Sequence, residues 1–332
     1  MIIKKNEPII NSLKLKSLSK ESALISNKAD LYFLSEHINK HNLEYLILGE
    51  GTNIVPPEFY DGIVIRSDYK NISYKSPDIL TVGSAVNWDD LVKFSLENDI
   101  KGFENLSLIP GSVGASPIQN IGAYGVEVSS LISSIDCFDI KNSELLKLSN
   151  EECNFKYRSS DLKNSSLFIM SINFKIDSNR KLNSRYQSIQ NYMNINEIDD
   201  ASLTAKTLAN IVSNIRRSVL PNHHEIFNAG SFFKNPILHK DHIDQKTFAL
   251  DSLIIWELEN NMVKVGAARL IELIRDKISP SENVSLFDKH SLVVITNGKA
   301  NQSEVLAYAK NIQDIVFNIF NIKLDIEPNI IT

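Results

Sequence analysis

The sequence contains little glycine and almost no cysteine. Its 332 residues include 12 glycines and 2 cysteines, whereas glycine is normally about 7% of a protein. Cys137 and Cys153 do not form a CxxC pair, which argues against a disulfide framework and against a cysteine zinc site. The simplest interpretation is a protein of the reducing cytoplasm.

Long hydrophobic runs are also missing. No apolar run approaches the roughly 18 residues that indicate a membrane span. The first segment, "MIIKKNEPIINSLKLKS", lacks the apolar core and cleavage site of a secretory signal. A net charge of -5 gives no general attraction to nucleic acid or to an anionic membrane. We therefore expect neither as a partner.

The predicted secondary structure differs between three parts of the chain. Its 332 residues are enough for two or three domains. Residues 1–70 contain a helical pattern, "ADLYFLSEHINKHN", and an apolar strand, "YLIL". Residues 71–200 consist mostly of short strands and turns, with a helix from Trp88 that Asn87 would cap. Residues 201–327 contain further helical patterns, among them "AARLIELIRDK" and "AYAKNIQDIVFNIF". Because strands and helices mix without regular βαβ alternation, the pattern predicts an α+β fold.

A third of the glycines lie in one stretch, "IPGSVGASPIQNIGAYGVEV", which runs from Ile109 to Val128. Glycine concentrates where the backbone needs a positive φ or a close approach. Successive N–H groups in such loops favour phosphate oxygens, and Gln119, Asn120 and Tyr124 could hydrogen-bond a flat polar ring system. A long turn with polar side chains satisfied by the backbone explains the pattern about equally well.

A second cluster, "GEGTN" at residues 49–53, follows the apolar strand. Its glycines would free backbone amides, and Thr52 and Asn53 add side-chain donors. A G-x-G alone is a weak signal, and a tight turn without a ligand is its commoner explanation. The cluster also lacks the third glycine and the helix placement of a dinucleotide fingerprint.

Four segments, taken in order, resemble one protein family. "LGEGTNIV", "GFENLSLIPGSVGASPIQNIGAYGVEV", "YRSSDLK" and "NAGSFFKNP" are similar to segments of the UDP-N-acetylenolpyruvoylglucosamine reductases, the flavoenzymes of bacterial peptidoglycan synthesis. The resemblance extends from about Asn11 to Glu327. It implies an α+β flavoenzyme with an FAD domain of the vanillyl-alcohol-oxidase type.

The resemblance also gives the three zones their roles. Residues 1–70 and 71–200 would be two FAD-binding subdomains, and residues 201–327 would be the substrate-binding domain. Residues 328–332 would return to the first subdomain. FAD would be the bound cofactor, NADPH the co-substrate and a nucleotide sugar the substrate, in a cytoplasmic monomer.

In the family, the glycine-rich segments wrap the FAD. The resemblance therefore assigns FAD contacts to both glycine clusters. These residues are Gly49, Glu50, Gly51, Thr52, Asn53, Ile109, Pro110, Gly111, Ser112, Gly114, Ala115, Ile118, Gln119, Asn120, Gly122, Ala123, Tyr124 and Gly125.

The family's reaction sets chemical requirements. NADPH reduces the FAD, the reduced flavin delivers hydride to C3 of the enolpyruvyl group, and an acid protonates C2 to give UDP-N-acetylmuramate. Negative charge therefore develops on C2 and its carboxylate, so a cation and a proton donor must lie there. By resemblance, Arg158 polarises the carboxylate with its planar fork, Ser231 donates the proton, and Glu327 stabilises the enol form. Asp325 is a competing acid that would share a strand face with Glu327.

The resemblance also implies a set of substrate contacts. Tyr186 aligns with the tyrosine that closes over the substrate in the longer class of the family. The complete set is Tyr124, Arg158, Tyr186, Arg216 and Asn235.

The chain departs from the family pattern in two places. Val219, in "IRRSVLPN", stands where the family has a lysine, so a diphosphate or nicotinamide contact is absent or has moved to Arg217. Arg269 stands where tryptophan is usual, and residues 275–290 differ further. Two alternatives stay open: a flavin-binding protein that does not catalyse, and another oxidoreductase on the same FAD fold.

Two pairs of histidines, His223 with His224 and His239 with His242, could suggest a metal site. Neither pair has further ligands at metal-binding spacing, so we expect no metal.

Overall fold

A computed structural model describes all residues from 1 to 332. The strands are β1 (Ile3–Pro8), β2 (Leu18–Ile25), β3 (Glu44–Ile47), β4 (Ile54–Val55), β5 (Phe59–Ser67), β6 (Ile72–Ser76), β7 (Ile79–Gly83), β8 (Gly122–Ala123), β9 (Val126–Glu127), β10 (Ile132–Asp139), β11 (Glu144–Ser149), β12 (Leu167–Lys175), β13 (Phe227–Ser231), β14 (Ile237–His239), β15 (Ile255–Glu257), β16 (Met262–Val265), β17 (Val284–Leu286), β18 (Val293–Thr296) and β19 (Asn329–Ile330). The α-helices are α1 (Lys28–His41), α2 (Trp88–Glu97), α3 (Gln187–Ile195), α4 (Ala205–Val219), α5 (Ala267–Leu273) and α6 (Gln302–Phe320). This mixture confirms the predicted α+β class.

The chain forms two compact units, each made of several segments. The first unit consists of Met1–Glu7, Ser19–Glu50 and Asp61–Ser218. The second unit consists of Pro8–Leu18, Gly51–Tyr60 and Val219–Thr332. The proposed division into two FAD-binding subdomains and a substrate-binding domain stays a prediction.

Two sheets form the first unit. One has the strand order β1-β2-β5-β3, and the other has the order β11-β10-β12-β7-β6. β3 pairs with β5 in parallel, whereas the strands of the larger sheet pair antiparallel. Leu31, Leu34 and Ile38 of α1 recur at helical spacing and pack in one apolar cluster with Ile63 and Ile65 of β5. Burial of this stripe holds α1 against its sheet.

Helix α2 begins where the sequence predicts. The Asn87 side chain accepts hydrogen bonds from the N–H groups of Asp89 and Asp90, which confirms Asn87 as the N-cap. The apolar spacing of α2 predicts one face made of Trp88, Leu91, Val92, Ser95 and Leu96. The first four are buried, and Leu96 is half-buried.

A smaller helical cluster completes the first unit. Ile189 and Met193 of α3 pack with Leu208, Ile211 and Val212 of α4. This packing holds the last turn of α4, which carries Arg216 and Arg217.

The second unit contains two three-stranded sheets, with the orders β13-β18-β17 and β14-β16-β15. Helix α6 begins with a capping box between Asn301 and Glu304. The predicted core-facing stripe of α6 is confirmed by its buried residues, which are Val305, Tyr308, Ala309, Ile312, Val316 and Phe320. β19 pairs in parallel with β4, and the Gln302 amide donates to the carbonyls of Val55 and Ile331.

Two predicted elements are shorter than expected. The helical pattern "AARLIELIRDK" gives α5 only as far as Leu273, followed by a 3-10 turn at Arg275–Lys277. The expected strand through Asp325 and Glu327 is reduced to one bridge, between Ile326 and Phe233. Pro328 has no N–H to extend that pairing.

The two cysteines are free and buried. Burial raises the pKa of Cys137 to about 12 and that of Cys153 to about 11. Both thiols therefore stay protonated and unreactive in the folded protein. None of the helices combines the length and apolarity that a membrane crossing requires.

Candidate active site

The two glycine clusters meet in the first unit. A β-carbon added to Gly49 would lie 2.5 Å from the Oγ of Ser112, so the Gly49 backbone lies directly against the Ser112 side chain. The Asn87 amide also donates to the Glu50 carboxylate at 2.9 Å. Asn87 was predicted only as a helix cap, and its second bond, to a residue distant in sequence, gave no local signal.

The Gly111–Ala115 loop is fastened to the strand and turn before α2. The Gly114 N–H donates to the Ser84 carbonyl, and the Val113 N–H donates to the Val86 carbonyl. A β-carbon at Gly114 would lie 2.5 Å from the Cβ of Ser84 and 3.1 Å from its Cα. Because the Ser84 backbone cannot move aside easily, glycine is required here.

These loops fit the FAD that the resemblance implies. The N–H groups of Gly49 and Glu50 donate to no backbone carbonyl, which suits a site for an anionic ligand. Two successive N–H groups in a glycine turn suit phosphate oxygens. The close approach of Gly49 to Ser112 provides the side-chain-free cradle that such a ligand needs.

Asn120 has a different part in the loop from the one its amide suggested. Its side chain is buried and donates to the Glu127 carboxylate and the Lys156 carbonyl. Its oxygen accepts from the Ser129 N–H. The side chain therefore builds the loop, and the Asn120 N–H is also used there, since it donates to the Pro117 carbonyl.

Arg158 lies beside the β8–β9 hairpin. One guanidinium nitrogen would stand 3.5 Å from a β-carbon at Gly122, and the guanidinium carbon lies 5.6 Å from the centroid of the Tyr157 ring. The backbone of Arg158 has a φ of 52°, which is uncommon for a residue that is not glycine. Such strained positions cluster at functional sites.

Arg216 places a second guanidinium near Arg158. Its side chain donates to the Leu108 carbonyl at 3.4 Å and interacts electrostatically with the Tyr124 phenol. Burial lowers the pKa of Arg216, the Tyr124 phenol raises it, and the Arg158 charge lowers it again. Burial likewise raises the pKa of Tyr124, and Arg216 partly offsets that rise. The first unit therefore brings together two cations that an anionic ligand would stabilise.

The structure also brings Tyr186 to this place. Its ring lies 5.4 Å from the Tyr124 ring in an edge-on arrangement. Tyr186 immediately precedes α3 and is 44% exposed, so its outer face is accessible. Arg217, the next residue after Arg216, is exposed. Val219 is the last residue of α4.

The second unit contains the rest of the first glycine cluster. Gly51 has a φ of 68°, and a β-carbon there would lie 1.9 Å from the Ile10 carbonyl oxygen. The Asn53 carbonyl accepts from the Asn329 N–H. The Ile10 segment therefore fixes the shape of the turn that begins Gly51-Thr52-Asn53.

Ser231 lies at an irregularity in β13. The pairing of β13 with β18 shifts register between Asn228 and Ser231, and Gly230 between them has a φ of 73°. The buried Asn228 side chain accepts from the Gly230 N–H at 2.9 Å and donates to the Ile226 carbonyl at 2.6 Å. Asn228 therefore sets the bulge that presents Ser231. A sequence pattern does not separate this role from an ordinary turn.

The segment around Glu327 runs alongside the residues that follow Ser231. The Glu327 N–H donates to the Phe232 carbonyl, and the Lys234 N–H donates to the Asp325 carbonyl. Glu327 is half-buried, whereas Asp325 is exposed. The structure therefore brings Ser231 and Glu327 to neighbouring backbone, whereas Arg158 belongs to the first unit.

Asn235 lies close by in sequence and begins no regular element. Its side-chain oxygen accepts from the Ala267 N–H at the start of α5. Only its NH₂ group is then left to donate to a ligand.

Comparison with known proteins identifies the family. Residues 23–149 match the sequence model of an FAD binding domain, and residues 221–331 match that of the C-terminal domain of UDP-N-acetylenolpyruvoylglucosamine reductase. The UDP-N-acetylenolpyruvoylglucosamine reductase of Buchnera aphidicola subsp. Schizaphis graminum is 34% identical over 97% of this chain and 94% of its own length. The chain belongs to the UDP-N-acetylenolpyruvoylglucosamine reductase family. A second reductase of the family, from Flavobacterium johnsoniae, is 36% identical over 88% of either chain.

A solved structure gives the same result for the fold. The crystal structure of UDP-N-acetylenolpyruvylglucosamine reductase (MurB) from Thermus caldophilus superposes with a TM-score of 0.71, at 18% identity, over 100% of both chains. Together with the FAD domain match, this confirms the expected α+β fold with an FAD-binding domain. This member of the reductase family is therefore an FAD-dependent oxidoreductase.

Proposed function

We propose that this chain reduces UDP-N-acetylglucosamine enolpyruvate to UDP-N-acetylmuramate with NADPH. The names of its relatives support the substrate. The observation that carries the proposal is the pair of cations, Arg158 and the half-buried Arg216, beside Tyr124. Guanidinium groups suit the carboxylate and the diphosphate that such a substrate carries.

Arg158 is proposed to hold the enolpyruvyl carboxylate. A guanidinium binds a carboxylate through two parallel hydrogen bonds and stays protonated throughout. It thus stabilises the negative charge that develops as C3 becomes saturated. Loss of a comparable oxyanion donor lowers kcat by about 10²–10³.

Ser231 is proposed to donate the proton to C2. A hydroxyl is a weak acid, but C2 becomes strongly basic once C3 is reduced. The Oγ–H bond breaks as the C2–H bond forms, and a proton from solvent restores the hydroxyl. The Asn228 bulge holds this hydroxyl in place.

Glu327 is proposed to stabilise the enol form together with Arg158. It is supported over Asp325 by its half-buried side chain and by its backbone bond to Phe232, next to Ser231. Asn235 would donate its free NH₂ to the substrate, and Tyr186 would close over it beside Tyr124 and Arg216.

The cofactor sites are assigned to the glycine loops. When bound, FAD supplies the transfer of reducing equivalents from NADPH to C3. The N–H groups of Gly49 and Glu50 would bind its phosphates, and the Gly111–Ala115 loop would line the same cradle. The chain's own residues orient the substrate carboxylate and provide the proton.

Turnover of NADPH tests the proposal directly. Purified protein supplemented with FAD should oxidise NADPH faster when UDP-N-acetylglucosamine enolpyruvate is present, as followed by the absorbance of NADPH. A protein that binds FAD yet shows no substrate-dependent oxidation would instead be the non-catalytic flavin-binding protein. Calorimetric titration tests that alternative, because a non-catalytic flavin-binding protein would not bind the UDP-sugar tightly.

The proton-donor assignment has its own variant. Ser231→Ala should allow NADPH to reduce the flavin while blocking its reoxidation by the enolpyruvyl substrate. Ser285→Ala is the matched control, because Ser285 is a half-buried serine on β17 of the same sheet. Normal turnover by Ser231→Ala would show that another group protonates C2.

A further inference from the structure

The two-residue loop of the β8–β9 hairpin has an unusual occupant. Gly122 pairs with Glu127 and Ala123 pairs with Val126, so Tyr124 and Gly125 form the loop. Their φ angles are 47° and 80°, and two successive positive values define a type I′ turn. Asparagine, aspartate and glycine are favoured at the first position of this turn, whereas a bulky aromatic residue is disfavoured there. Neighbouring groups must therefore hold Tyr124 in this conformation.

Asn105 supplies one of these groups. Its side chain is 0% exposed. Its amide NH₂ donates to the Tyr124 carbonyl at 3.0 Å and to the Asn183 carbonyl at 2.8 Å. Both amide hydrogens are thus used on two backbone segments that are far apart in sequence.

Asn183 completes the arrangement from the other side. Its amide donates to the Gly125 carbonyl at 3.1 Å. The successive carbonyls of Tyr124 and Gly125 therefore each accept from a side-chain amide, and Asn105 ties the two amide-bearing segments together. Asn183 Nδ2 would also lie 3.3 Å from a β-carbon at Gly125, which leaves no room for a larger residue there.

This arrangement controls two aromatic side chains. Tyr186 follows Asn183 by three residues, and its ring packs edge-on against the Tyr124 ring. The Tyr124 phenol in turn interacts electrostatically with Arg216. A change in the turn or in the segment around Asn183 would therefore move all three side chains.

The Asn105 side-chain oxygen and NH₂ group differ in their hydrogen bonding. Asn105 Oδ1 is buried and accepts no hydrogen bond. An unsatisfied buried acceptor is unfavourable, so the residue is suited to this place by its two donors. A leucine or an aspartate of similar size would supply neither.

We propose that Asn105 is a positioning residue for substrate binding: its amide fixes the Tyr124 turn and the Tyr186 segment as one unit. The proposal rests on the proposed function, since it assumes that Tyr124, Tyr186 and Arg216 contact the nucleotide sugar. Asn105 itself is fully buried, and both of its amide hydrogens are used within the protein. Its effect therefore belongs to substrate affinity rather than to the chemical step.

Steady-state kinetics of Asn105→Ala test the proposal. Loss of two amide–carbonyl hydrogen bonds should raise KM for the enolpyruvyl substrate about tenfold or more, with a smaller change in kcat. FAD affinity should stay unchanged. Asn173→Ala is the matched control, because Asn173 is equally buried and donates two hydrogen bonds to Ser134 and Asp136. An equal rise of KM in both variants, or no rise in Asn105→Ala, would overturn the proposal.

A double-mutant cycle of Asn105 and Asn183 measures whether the two residues act together on KM, which general destabilisation would not produce. Asn183→Ala should raise KM as Asn105→Ala does, and the double variant should raise it less than the product of the two. Independent, multiplicative effects would contradict the proposal. If Asn105→Ala fails to fold, Asn183→Ala carries the test, because Asn183 is only half-buried.

Limited trypsin digestion distinguishes failure of this proposal from failure of the proposed function. Lys181 and Arg185 are exposed cleavage sites on the segment that Asn105 holds. Cleavage there should be about tenfold faster in Asn105→Ala than in Asn173→Ala. If the unmodified enzyme shows no turnover, the function is wrong, and this cleavage ratio alone decides whether Asn105 fixes the segment. An unchanged ratio would overturn the positioning role.

Discussion

Gly49 lies so close to Ser112 that a β-carbon at residue 49 would stand 2.5 Å from the Ser112 Oγ but 3.7 Å from its Cβ. The hydroxyl oxygen of Ser112 therefore causes the conflict between these two residues. This geometry makes the junction of the two glycine loops testable by a pair of substitutions.

We expect Gly49→Ala to weaken FAD binding, and Ser112→Ala in the same chain to recover part of the loss. The measurement is the FAD dissociation constant, followed by quenching of flavin fluorescence. Gly114→Ala should be more damaging, because its β-carbon would meet the Ser84 backbone at 3.1 Å. Strictly additive effects of Gly49→Ala and Ser112→Ala would mean that the two loops do not touch in solution.

Arg216→Gln is expected to raise KM for the UDP-sugar about tenfold to hundredfold, because it removes a charge-assisted contact. Stability should fall little, since a half-buried cation with a like-charged neighbour is costly to keep. Arg217→Gln is the control from the same helical turn, and its side chain is exposed. If Arg217→Gln raises KM more than Arg216→Gln does, Arg217 contacts the substrate instead. Arg217 would then replace the lysine that the family has at the position of Val219.

Asn228→Ala should lower kcat, because the bulge before Ser231 loses two hydrogen bonds. The free energy of unfolding should fall by about 1–3 kcal/mol, the usual cost of leaving buried polar groups unpaired. Denaturant titration and turnover measure the two effects. Asn222→Ala removes similar bonds from an exposed turn and should change neither quantity by much.

The stability of the first unit should depend on pH through Glu104. Burial raises the pKa of this carboxyl from 4.5, although the Gly102 N–H and the charges of Arg180 and Lys101 oppose the rise. The folded protein thus holds the proton more tightly than the unfolded chain. Stability is therefore expected to fall as pH rises from 4.5 through the raised value.

Glu104→Gln should remove the loss of stability that we expect at higher pH. Its free energy of unfolding should exceed that of the parent protein at about pH 8 and match it at about pH 4, as denaturant titration would show. Glu97→Gln, at an exposed position in α2, should behave as the parent at both pH values. A less stable Glu104→Gln at the higher pH would mean that the attraction to Arg180 outweighs burial.

The sequence predicts those parts of the molecule that follow from local rules. Helix α2 begins at Asn87 because its side chain can cap the helix, and α6 packs through a periodic stripe. Glycine concentrates at residues 49–51 and 111–125 because the backbone there approaches other atoms or takes positive φ. The motif strings further identify the family.

The parts that could not be predicted depend on long-range contacts. Asn120 looks like a ligand for a ring system, yet its amide is used by Glu127 and Lys156. The electrostatic interaction between Tyr124 and Arg216 joins residues far apart in sequence, and no local pattern specifies it. Asn105 lies in the motif "GFENLSLIPGSVGASPIQNIGAYGVEV". Its role depends on hydrogen bonds to the Tyr124 turn and the Asn183 segment, which form only in the folded protein.

The pairing of β19 with β4 has a consequence for synthesis on the ribosome. The first unit ends at Ser218, so all of its residues are available before the last third of the chain emerges. The second unit also contains Pro8–Leu18 and Gly51–Tyr60, which are made early and must wait for Asn329 and Ile330. Its final contacts therefore span nearly the whole chain, and contacts of such sequence separation form slowly. During translation, the first unit should therefore fold early, and the second unit should fold only after residue 330 has emerged.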